Sequence, residues 1–373
     1  MLKRLHLQNF TVFADADFEF SPGLNVLVGT NGTGKSHVLK VGYAVLETVE
    51  LMSQEKNESI GLIWNENNFQ GYLYNSLKGV FQPERGNLEQ LIRWQATQTK
   101  TLVKAECGSG VQAQIQFSLL NAGNPKFSMQ LIELDELVKQ EKIGEPLFIP
   151  AKEVLTLAWI SRLDERYKLP IDATYLNLLS SLRPPALKQP EKAAAESLAK
   201  LEDLVGGTIE QEGERFYIMP KVGIRVEMNL IAEGIRKFAI LSQLLANGKL
   251  TSKTTLFWDE PEANLNPALL RKLAAILAEL ARQGFQIILA THSTDLLKEF
   301  HILSRQKDAK PLPIKYFGLN AEPGEATRIV TTDNFEYLPD VVALSEELKQ
   351  ADELEEIFIR EDQEYHANNR GKE

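Results

Sequence analysis

The chain has 373 residues, 43% of them hydrophobic and 25% charged, which is the balance of an ordinary water-soluble globular protein with one large domain or two modest ones. Its single cysteine, Cys107, excludes a disulfide framework within the chain and a cysteine-cluster zinc site, and it favours a reducing, cytoplasmic compartment. The net charge of −10 argues against a surface coated in basic charge for nucleic acid, and no apolar run reaches the roughly 20 residues of a membrane span.

The first half of the chain begins with clear strand patterns and then becomes harder to interpret. Alternation over residues 5–10 and 18–20 predicts two antiparallel strands, and the apolar run 24–28 predicts a buried strand that ends at Gly29. Apolar residues at helical spacing follow Ser36. Residues 50–150 hold short apolar runs between Gly, Asn and Pro, which predict a mixed strand region with one helix near residues 88–95.

The second half alternates helices with buried strands. Residues 151–205 are predicted to be mostly helical, with a helix that ends at Gly206, and strand-like pieces RFYIMP and VGIRVEMNL follow. Next come a helix over 234–246, a buried strand over 254–258, a helix over 268–283 and a buried strand over 285–290. Strand, helix and strand in this order predict a parallel sheet with right-handed crossovers.

The C-terminal residues 346–373 are strongly acidic. Nine acidic and two basic residues lie between Glu346 and Glu364, a net charge of −7, which leaves −3 for the rest of the chain. One interpretation is a solvated helix followed by a loose tail. The other is a docking site for a basic partner, which the apolar residues 357–359 favour.

The sharpest motif is GTNGTGKS, which fits the phosphate-binding P-loop pattern G-x-x-x-x-G-K-[ST]. Its glycines let the backbone pass close to phosphate oxygens, and its N–H groups form an anion cradle with the start of the next helix. Lys35 is expected to reach the β- and γ-phosphates, and Ser36 to hold Mg²⁺. The cradle itself comprises Gly29, Thr30, Asn31, Gly32, Thr33, Gly34, Lys35 and Ser36.

Two further motifs follow predicted strands. Asp259 and Glu260 end the strand of TTLFWDEPEANLNP, at the edge of an open α/β sheet where ligands bind. Asp259 is predicted to hold Mg²⁺ through water, and Glu260 to polarise an attacking water. His292, in IILATHS, ends the next strand 33 residues after Asp259 and could reach the γ-phosphate.

These three motifs in this order resemble the ABC-type P-loop ATPases, and most of all their SMC-, RecF- and OLD-like group. The resemblance implies an α/β fold of the ABC/SMC-head type: a mixed sheet, an antiparallel first-lobe sheet and a helical insertion. It implies a single ATPase domain over residues 1–345, with a first lobe over about 1–150, the insertion over about 151–205 and a second lobe over about 206–345. The 224 residues from Lys35 to Asp259 lack sustained heptads, so we expect a compact insertion and not a coiled-coil rod.

The resemblance also implies further contacts with ATP. His37 follows the P-loop, and Gln82 is the candidate for the family's glutamine that follows a first-lobe strand and senses Mg²⁺; a surface turn is its alternative role. The segment LIAEGIRK, residues 230–237, lies where the family's signature caps the γ-phosphate bound by the opposite subunit. Gly234 fits the second signature glycine, whereas Ala232 replaces the usual serine and Glu233 the first glycine. Arg236 or Lys237 is available to compensate.

The implied function is that of an ATPase that uses ATP and Mg²⁺ and dimerises head-to-tail around the nucleotide. By family analogy, it would control an effector partner, such as a nuclease or toxin, in prokaryotic antiviral defence. Two alternatives stay open: a DNA repair or recombination ATPase, against which the acidic charge weighs mildly, and an ATP-binding scaffold with little hydrolysis. A membrane partner is not expected.

Overall fold

The computed structural model describes residues 1–57, 66–93, 100–108, 113–120, 126–132, 144–167, 169–307, 309–338, 349–350 and 352–361. In chain order, its named strands and α-helices are β1 (Leu2–Phe10), β2 (Phe13–Glu19), β3 (Leu24–Gly29), α1 (Lys35–Asn57), α2 (Glu66–Phe81), β4 (Lys100–Cys107), β5 (Ala113–Leu120), β6 (Lys126–Ile132), β7 (Leu147–Ile149), α3 (Ile160–Tyr167), α4 (Ala173–Leu182), α5 (Ala195–Val205), β8 (Thr208–Glu212), β9 (Arg215–Met219), β10 (Val226–Glu227), α6 (Glu233–Ala246), β11 (Thr255–Asp259), α7 (Pro267–Arg282), β12 (Gln286–Thr291), α8 (Thr294–Ser304), β13 (Ile314–Asn320) and β14 (Arg328–Thr332).

A six-stranded sheet in the order β14-β13-β3-β12-β11-β7 forms the centre of the molecule. All its pairings are parallel except that of β13 with β14, which is antiparallel. Strands β3, β11 and β12 are apolar along most of their length because the sheet is covered on both faces. The predicted parallel sheet of strand–helix–strand units is confirmed.

Two hydrophobic clusters lie on opposite faces of this sheet. Because neighbouring side chains of a strand point to opposite faces, Trp258 belongs to one cluster and Phe257 to the other. The Trp258 cluster is packed by α6 and α7, and the Phe257 cluster by α1 and the first strands. Helix α1 is thereby clamped between the central sheet and the N-terminal part of the chain.

An antiparallel sheet in the order β2-β1-β4-β5-β6 makes up much of the first lobe. Leu5 of β1 faces Phe18 of β2, which confirms the two antiparallel strands predicted from the alternating pattern. A third, smaller sheet in the order β10-β9-β8 follows helices α3, α4 and α5. Gly206 ends α5 in the left-handed conformation, with a φ of 90°, as the sequence predicted.

The region before residue 100 differs from its prediction. Of the expected helix near 88–95, residues 94 and 95 lie outside the described residues; the rest forms one 3₁₀ turn, Leu88–Leu91, because the chain at Ile92 then pairs with Phe10 of β1. Helix α2 was not predicted, since Gly71 and Gly79 interrupt its apolar stripe. That stripe is nevertheless buried at Phe69, Leu73, Leu77 and Val80.

The predicted C-terminal helix is confirmed for residues 352–361, which are helical and exposed. Leu354, Ile357, Phe358 and Ile359 all expose a large part of their apolar side chains there. The rest of the acidic segment, apart from residues 349–350, lies outside the described residues. Among the helices that the structure describes, none has the length and apolarity to cross a membrane.

Candidate nucleotide-binding site

The three predicted motifs meet at one edge of the central sheet. Strands β3, β12 and β11 are neighbours and run parallel, so their carboxyl ends lie side by side. Val28 is paired with Thr291, and Ala290 with Asp259. This edge is where ligands bind in open α/β sheets. The structure therefore brings the P-loop, the Asp259-Glu260 pair and His292 to one place.

The P-loop between β3 and α1 has the backbone of a phosphate cradle. Gly32 and Gly34 have φ angles of 84° and 90°, which L side chains rarely adopt. A Cβ atom on Gly34 would also lie 2.5 Å from Val12 and 2.7 Å from the ring of Phe13, so this glycine is required for packing as well. Phe13 is fully buried, so its ring is part of the core that this glycine packs against.

Lys35 begins α1 and is turned onto its own loop. Its Nζ atom donates to the carbonyl oxygens of Gly29 at 2.8 Å and Thr30 at 2.9 Å. Burial lowers the pKa of this ammonium, whereas the nearby Asp259 and Glu260 raise it. A cation held in the mouth of the loop is suited to neutralise phosphate charge.

Ser36 and Asp259 provide a hard oxygen pair next to the loop. Burial raises the pKa of Asp259, and the nearby Ser36 hydroxyl and the Lys35 charge oppose that shift. Oxygen donors of this type are the ligands that Mg²⁺ prefers, and it commonly takes one or two protein groups beside phosphate oxygens and water. The residues at this position thus fit Mg²⁺.

Glu260 is held in a left-handed backbone conformation, with a φ of 47°. Its N–H donates to the carbonyl of Ala290 at 2.9 Å, which ties it to the end of β12. Its Oε1 atom lies 3.4 Å from Nδ1 of His292, a side chain that is 51% exposed. Carboxylate and imidazole thus stand together at the open end of the sheet, where a water could be oriented between protein and phosphate.

A second carboxylate, Glu262, is part of the site although the sequence analysis did not single it out. Its Oε1 atom accepts hydrogen bonds from the Thr291 hydroxyl at 2.6 Å and the His292 N–H at 3.2 Å. The same atom is 3.7 Å from Nδ1 of His292. Its Oε2 atom is buried without a hydrogen-bond partner among the described residues. The repeated carboxylate in DEPE, directly after a buried strand, was the available signal.

The signature-like segment lies against the loop that follows Glu260. Ala232 is the N-cap of α6, and no side-chain hydrogen bond caps that helix. The Glu233 carboxylate accepts from Nδ2 of Asn264 at 2.8 Å, and a Cβ on Gly234 would lie 3.1 Å from the Asn264 carbonyl. Within one chain Glu233 and Gly234 are therefore next to the Asn264 loop. The contact of Ala232, Glu233 and Gly234 with nucleotide requires a second copy and stays a prediction.

Arg236 and Lys237, the two cations expected to compensate for the altered signature residues, both have partners within the chain. Arg236 donates to the Glu153 carboxylate at 2.9 Å and to the Ile231 carbonyl at 2.8 Å. Lys237 is buried and donates to the carbonyls of Glu260 and Pro261. These contacts do not support the expected compensation, because the lysine points inward and the arginine is paired.

The nucleotide contacts of His37 and Gln82 stay predictions; His37 lies in the first turn of α1. Gln82 follows helix α2, not a strand, and its Nε2 atom donates to the carbonyls of Gly79 at 3.1 Å and Ile171 at 2.9 Å. The ring of His37 packs 5.7 Å from that of Phe81. Burial lowers the pKa of His37 to about 4, so this imidazole is neutral at pH 7.

Comparison with protein families agrees with this geometry. The family described as "AAA domain, putative AbiEii toxin, Type IV TA system" matches residues 138–298, and a second family described as "AAA domain" matches residues 4–41. The first stretch contains Asp259, Glu260 and His292, and the second contains the P-loop.

Curated relatives match a short part of the chain. The DNA replication and repair protein RecF of Streptococcus uberis is 38% identical over 69 residues, which is 18% of each protein. RecF of Desulfitobacterium hafniense (strain DSM 10664 / DCB-2) is 35% identical over 71 residues, or 19% of each. The chain thus spans about a fifth of the length of the RecF proteins it matches.

Solved structures match nearly the whole chain at low identity. An Smc head bound to the C-winged helix domain of ScpA aligns with a TM-score of 0.53 and 13% identity, over 90% of this chain and 98% of the other. An Smc head with an extended coiled coil, bound to the C-terminal domain of ScpA derived from Pyrococcus furiosus, aligns with a TM-score of 0.51 and 12% identity. That alignment covers 95% of this chain and 99% of the other. The fold of the Smc head is thereby confirmed.

Proposed function

Because this chain has the fold and the motifs of the SMC/RecF-like ABC-type P-loop ATPases, we propose that it binds ATP with Mg²⁺ and hydrolyses it to ADP and phosphate. The observation that carries this proposal is the 3.4 Å approach of Glu260 to His292, beside the neighbouring oxygen groups of Ser36 and Asp259. A site for binding alone would not need a second carboxylate next to an imidazole at the phosphate edge.

Each residue has a distinct task in this proposal. The loop amides and Lys35 neutralise the charge that spreads over the phosphate oxygens during transfer. Mg²⁺, held by Ser36 and Asp259 directly or through water, supplies further charge neutralisation when bound. Glu260 orients the attacking water and accepts its proton, and His292 donates a hydrogen bond to the transferred phosphate.

The catalytic site is completed by a second copy of the chain. Residues 232–234 of one copy cap the γ-phosphate on the P-loop of the other, so two ATP molecules are bound between two chains. The alignment with the Smc head covers 90% of this chain and 98% of the other, which supports treating the two as comparable units. ATP binding then closes the dimer, and hydrolysis opens it.

The test uses Glu260→Gln, which keeps the shape of the side chain but removes the proton acceptor. Wild-type protein should release phosphate from Mg-ATP, and the variant should bind ATP without turnover. Light scattering of the variant should show a shift from monomer to dimer on addition of Mg-ATP. Wild-type protein that binds ATP without releasing phosphate would contradict the enzyme and favour the ATP-binding scaffold. An unchanged mass with ATP bound would contradict the dimer.

In the cell, we place the ATPase in the cytoplasm as the controller of an effector, such as a nuclease or toxin, in prokaryotic antiviral defence. Support comes from the family description over residues 138–298, which refers to a putative toxin. The exposed, acidic helix 352–361 with its apolar Phe358 is the candidate docking element. Removing residues 352–373 should abolish co-purification with the effector while ATP hydrolysis persists; undiminished co-purification would dismiss this docking element.

Action on DNA is the second candidate, because the curated relatives are DNA replication and repair proteins. It predicts that duplex or single-stranded DNA stimulates hydrolysis, and that stimulation falls as salt rises. Hydrolysis that is indifferent to DNA at low salt would favour the effector role.

A further inference from the structure

Helix α6 carries a lysine that is buried against the turn after the Asp259-Glu260 pair. The Lys237 side chain is only 2% exposed, which is rare for an ammonium group. Its Nζ atom donates to the carbonyl oxygen of Glu260 at 3.0 Å and to that of Pro261 at 3.2 Å. The hydrogen-bond partners of this ammonium group are therefore backbone carbonyls and not a carboxylate.

The backbone at this turn is unusual. Glu260 has a φ of 47°, a region that disfavours residues with a Cβ, so its surroundings must hold it there. The turn has three backbone hydrogen bonds of its own: the Glu260 N–H donates to the Ala290 carbonyl, the Ala263 N–H to the Glu260 carbonyl and the Leu265 N–H to the Glu262 carbonyl. Lys237 adds the only side-chain donor to that carbonyl among the described residues.

The charge on Lys237 is balanced by three carboxylates, Glu262 and Glu260 on the turn and Glu233 on its own helix. Burial lowers the pKa of this lysine to about 8, and these carboxylates act in the opposite direction. The ammonium form, with three donors, therefore predominates at pH 7. It can satisfy both carbonyls at once, whereas an apolar side chain would leave the Pro261 carbonyl without this donor.

We propose that Lys237 is a positioning residue for the catalytic glutamate: by holding the carbonyls of Glu260 and Pro261, it fixes the left-handed turn that directs the Glu260 carboxylate toward His292. This inference rests on the proposed hydrolysis of ATP. It also connects two surfaces of one chain. Lys237 lies one helical turn after Glu233 and Gly234, the residues proposed to face the nucleotide of the other copy.

The consequence is a rigid link between the two sites of a dimer. Glu233 is hydrogen-bonded to Asn264, so the start of α6 is joined to the same loop at a second point. A displacement of α6 when it meets the partner's nucleotide is thereby passed to Glu260, which serves the nucleotide of its own chain. Lys237 is the contact nearest the catalytic residue.

The experiment compares wild-type protein with Lys237→Met, which keeps the aliphatic stem and removes the donors, and with Lys237→Gln, which keeps one donating amide. Lys249→Met is the matched control, because this lysine follows the other end of α6 and pairs with Glu145 at 2.5 Å. Steady-state hydrolysis gives kcat and KM for ATP. Hydrogen exchange measured over residues 259–266 reports on the turn through the amides of Glu260, Ala263 and Leu265.

Lys237→Met should lower kcat about 10- to 100-fold, because a misplacement of about 1 Å has effects of that size, while KM stays within about threefold. Exchange over 259–266 should become faster, Lys237→Gln should be intermediate, and the control should match wild type. If amide exchange over residues 259–266 is the same in Lys237→Met as in wild type, the positioning role is overturned, whether or not the protein hydrolyses ATP. Faster exchange with a wild-type kcat would overturn it too. If the wild-type protein does not hydrolyse ATP, the proposed function fails, and the exchange data alone decide whether Lys237 holds the turn. If Lys237→Met does not fold, Lys237→Gln supplies the same comparison.

Discussion

The hydroxyl of Thr291 donates to the carboxylate of Glu262 across 2.6 Å, joining the last residue of β12 to the turn that follows β11. The same carboxylate oxygen accepts from the N–H of His292, so one side chain fixes the backbone on which the imidazole stands. Two neighbouring strands of the sheet are thereby locked together at the phosphate edge. The position of His292 relative to Glu260 depends on this lock.

Replacing Glu262 tests that dependence. Glu262→Ala leaves the Thr291 hydroxyl and the His292 N–H without their acceptor, which costs about 1–3 kcal/mol for the buried Thr291 hydroxyl. We expect kcat for ATP to fall about tenfold or more, with Glu262→Gln less affected because its amide oxygen still accepts. Phosphate release and thermal unfolding measure the two effects. Glu196→Ala, on the exposed side of α5, is the control; equal kcat in Glu262→Ala and wild type would show that His292 needs no such support.

The two positive-φ glycines of the P-loop form a matched pair. Alanine at either position must adopt a left-handed φ, which costs about 1–2 kcal/mol. At Gly34 the new Cβ also meets Val12 at 2.5 Å, whereas at Gly32 nothing lies within 4 Å. Titration with a fluorescent ATP analogue should therefore show a loss of at least about tenfold in affinity for Gly34→Ala and a smaller loss for Gly32→Ala. Equal losses would mean that backbone strain alone sets the effect.

Ala232 offers a gain of function. It is the N-cap of α6 and lacks a side-chain cap, so Ala232→Ser should stabilise the helix by about 1 kcal/mol. The serine hydroxyl would also restore a hydrogen bond to the γ-phosphate of the other copy and tighten the ATP-dependent dimer. Ala232→Asp separates the two effects, because it caps equally well but repels phosphate. With Ala232→Ser, both the melting temperature and the ATP-dependent dimer fraction measured by light scattering should rise. With Ala232→Asp, the melting temperature should rise but the dimer fraction should fall. An unchanged dimer fraction with serine would contradict the proposed contact.

A buried carboxylate outside the site gives a pH prediction. Glu47 on α1 accepts hydrogen bonds from Tyr43 and from Asn177, at 2.9 Å and 2.6 Å, and from Ser76. Burial raises the pKa of Glu47 above its ordinary value of 4.5, and the Ser76 and Tyr43 hydrogen bonds partly oppose the shift. The folded state therefore holds this proton more tightly than the unfolded state. Its contribution to stability is full below pH 4.5 and is lost as pH rises through the folded pKa.

Glu47→Gln removes this titration. Its melting temperature should decline less than that of wild type as pH rises from 4.5, because glutamine stays neutral. The Ser76 hydroxyl can turn to accept from the new amide, so the network is kept. Glu84→Gln, at an exposed position, should follow the wild-type curve. Parallel curves for Glu47→Gln and wild type would contradict the raised pKa.

Local sequence was sufficient to predict the P-loop, the strand before it, the strand that ends at Asp259, and the helix that ends at Gly206. Each of these is specified by consecutive residues: an apolar run, a glycine that must adopt positive φ, or a charged pair at the end of a strand. Their convergence at one edge of the sheet also follows from the sequence, since parallel strands joined by helices place their carboxyl ends together. Helix α2 was missed because Gly71 and Gly79 mask a stripe that only burial reveals.

The tertiary structure alone decided what the remaining polar side chains do. From the sequence, Lys237 is one more cation available to a phosphate. In the structure, the packing of α6 directs its side chain inward to two backbone carbonyls. Glu262 reads as a solvated charge, yet the pairing of β11 with β12 brings it to Thr291, 29 residues later. Gln82 is held by the Ile171 carbonyl, 89 positions away. A hydrogen bond depends on distances within about 3 Å, and which distant residues come that close is set by the packing of whole elements, which no local pattern encodes.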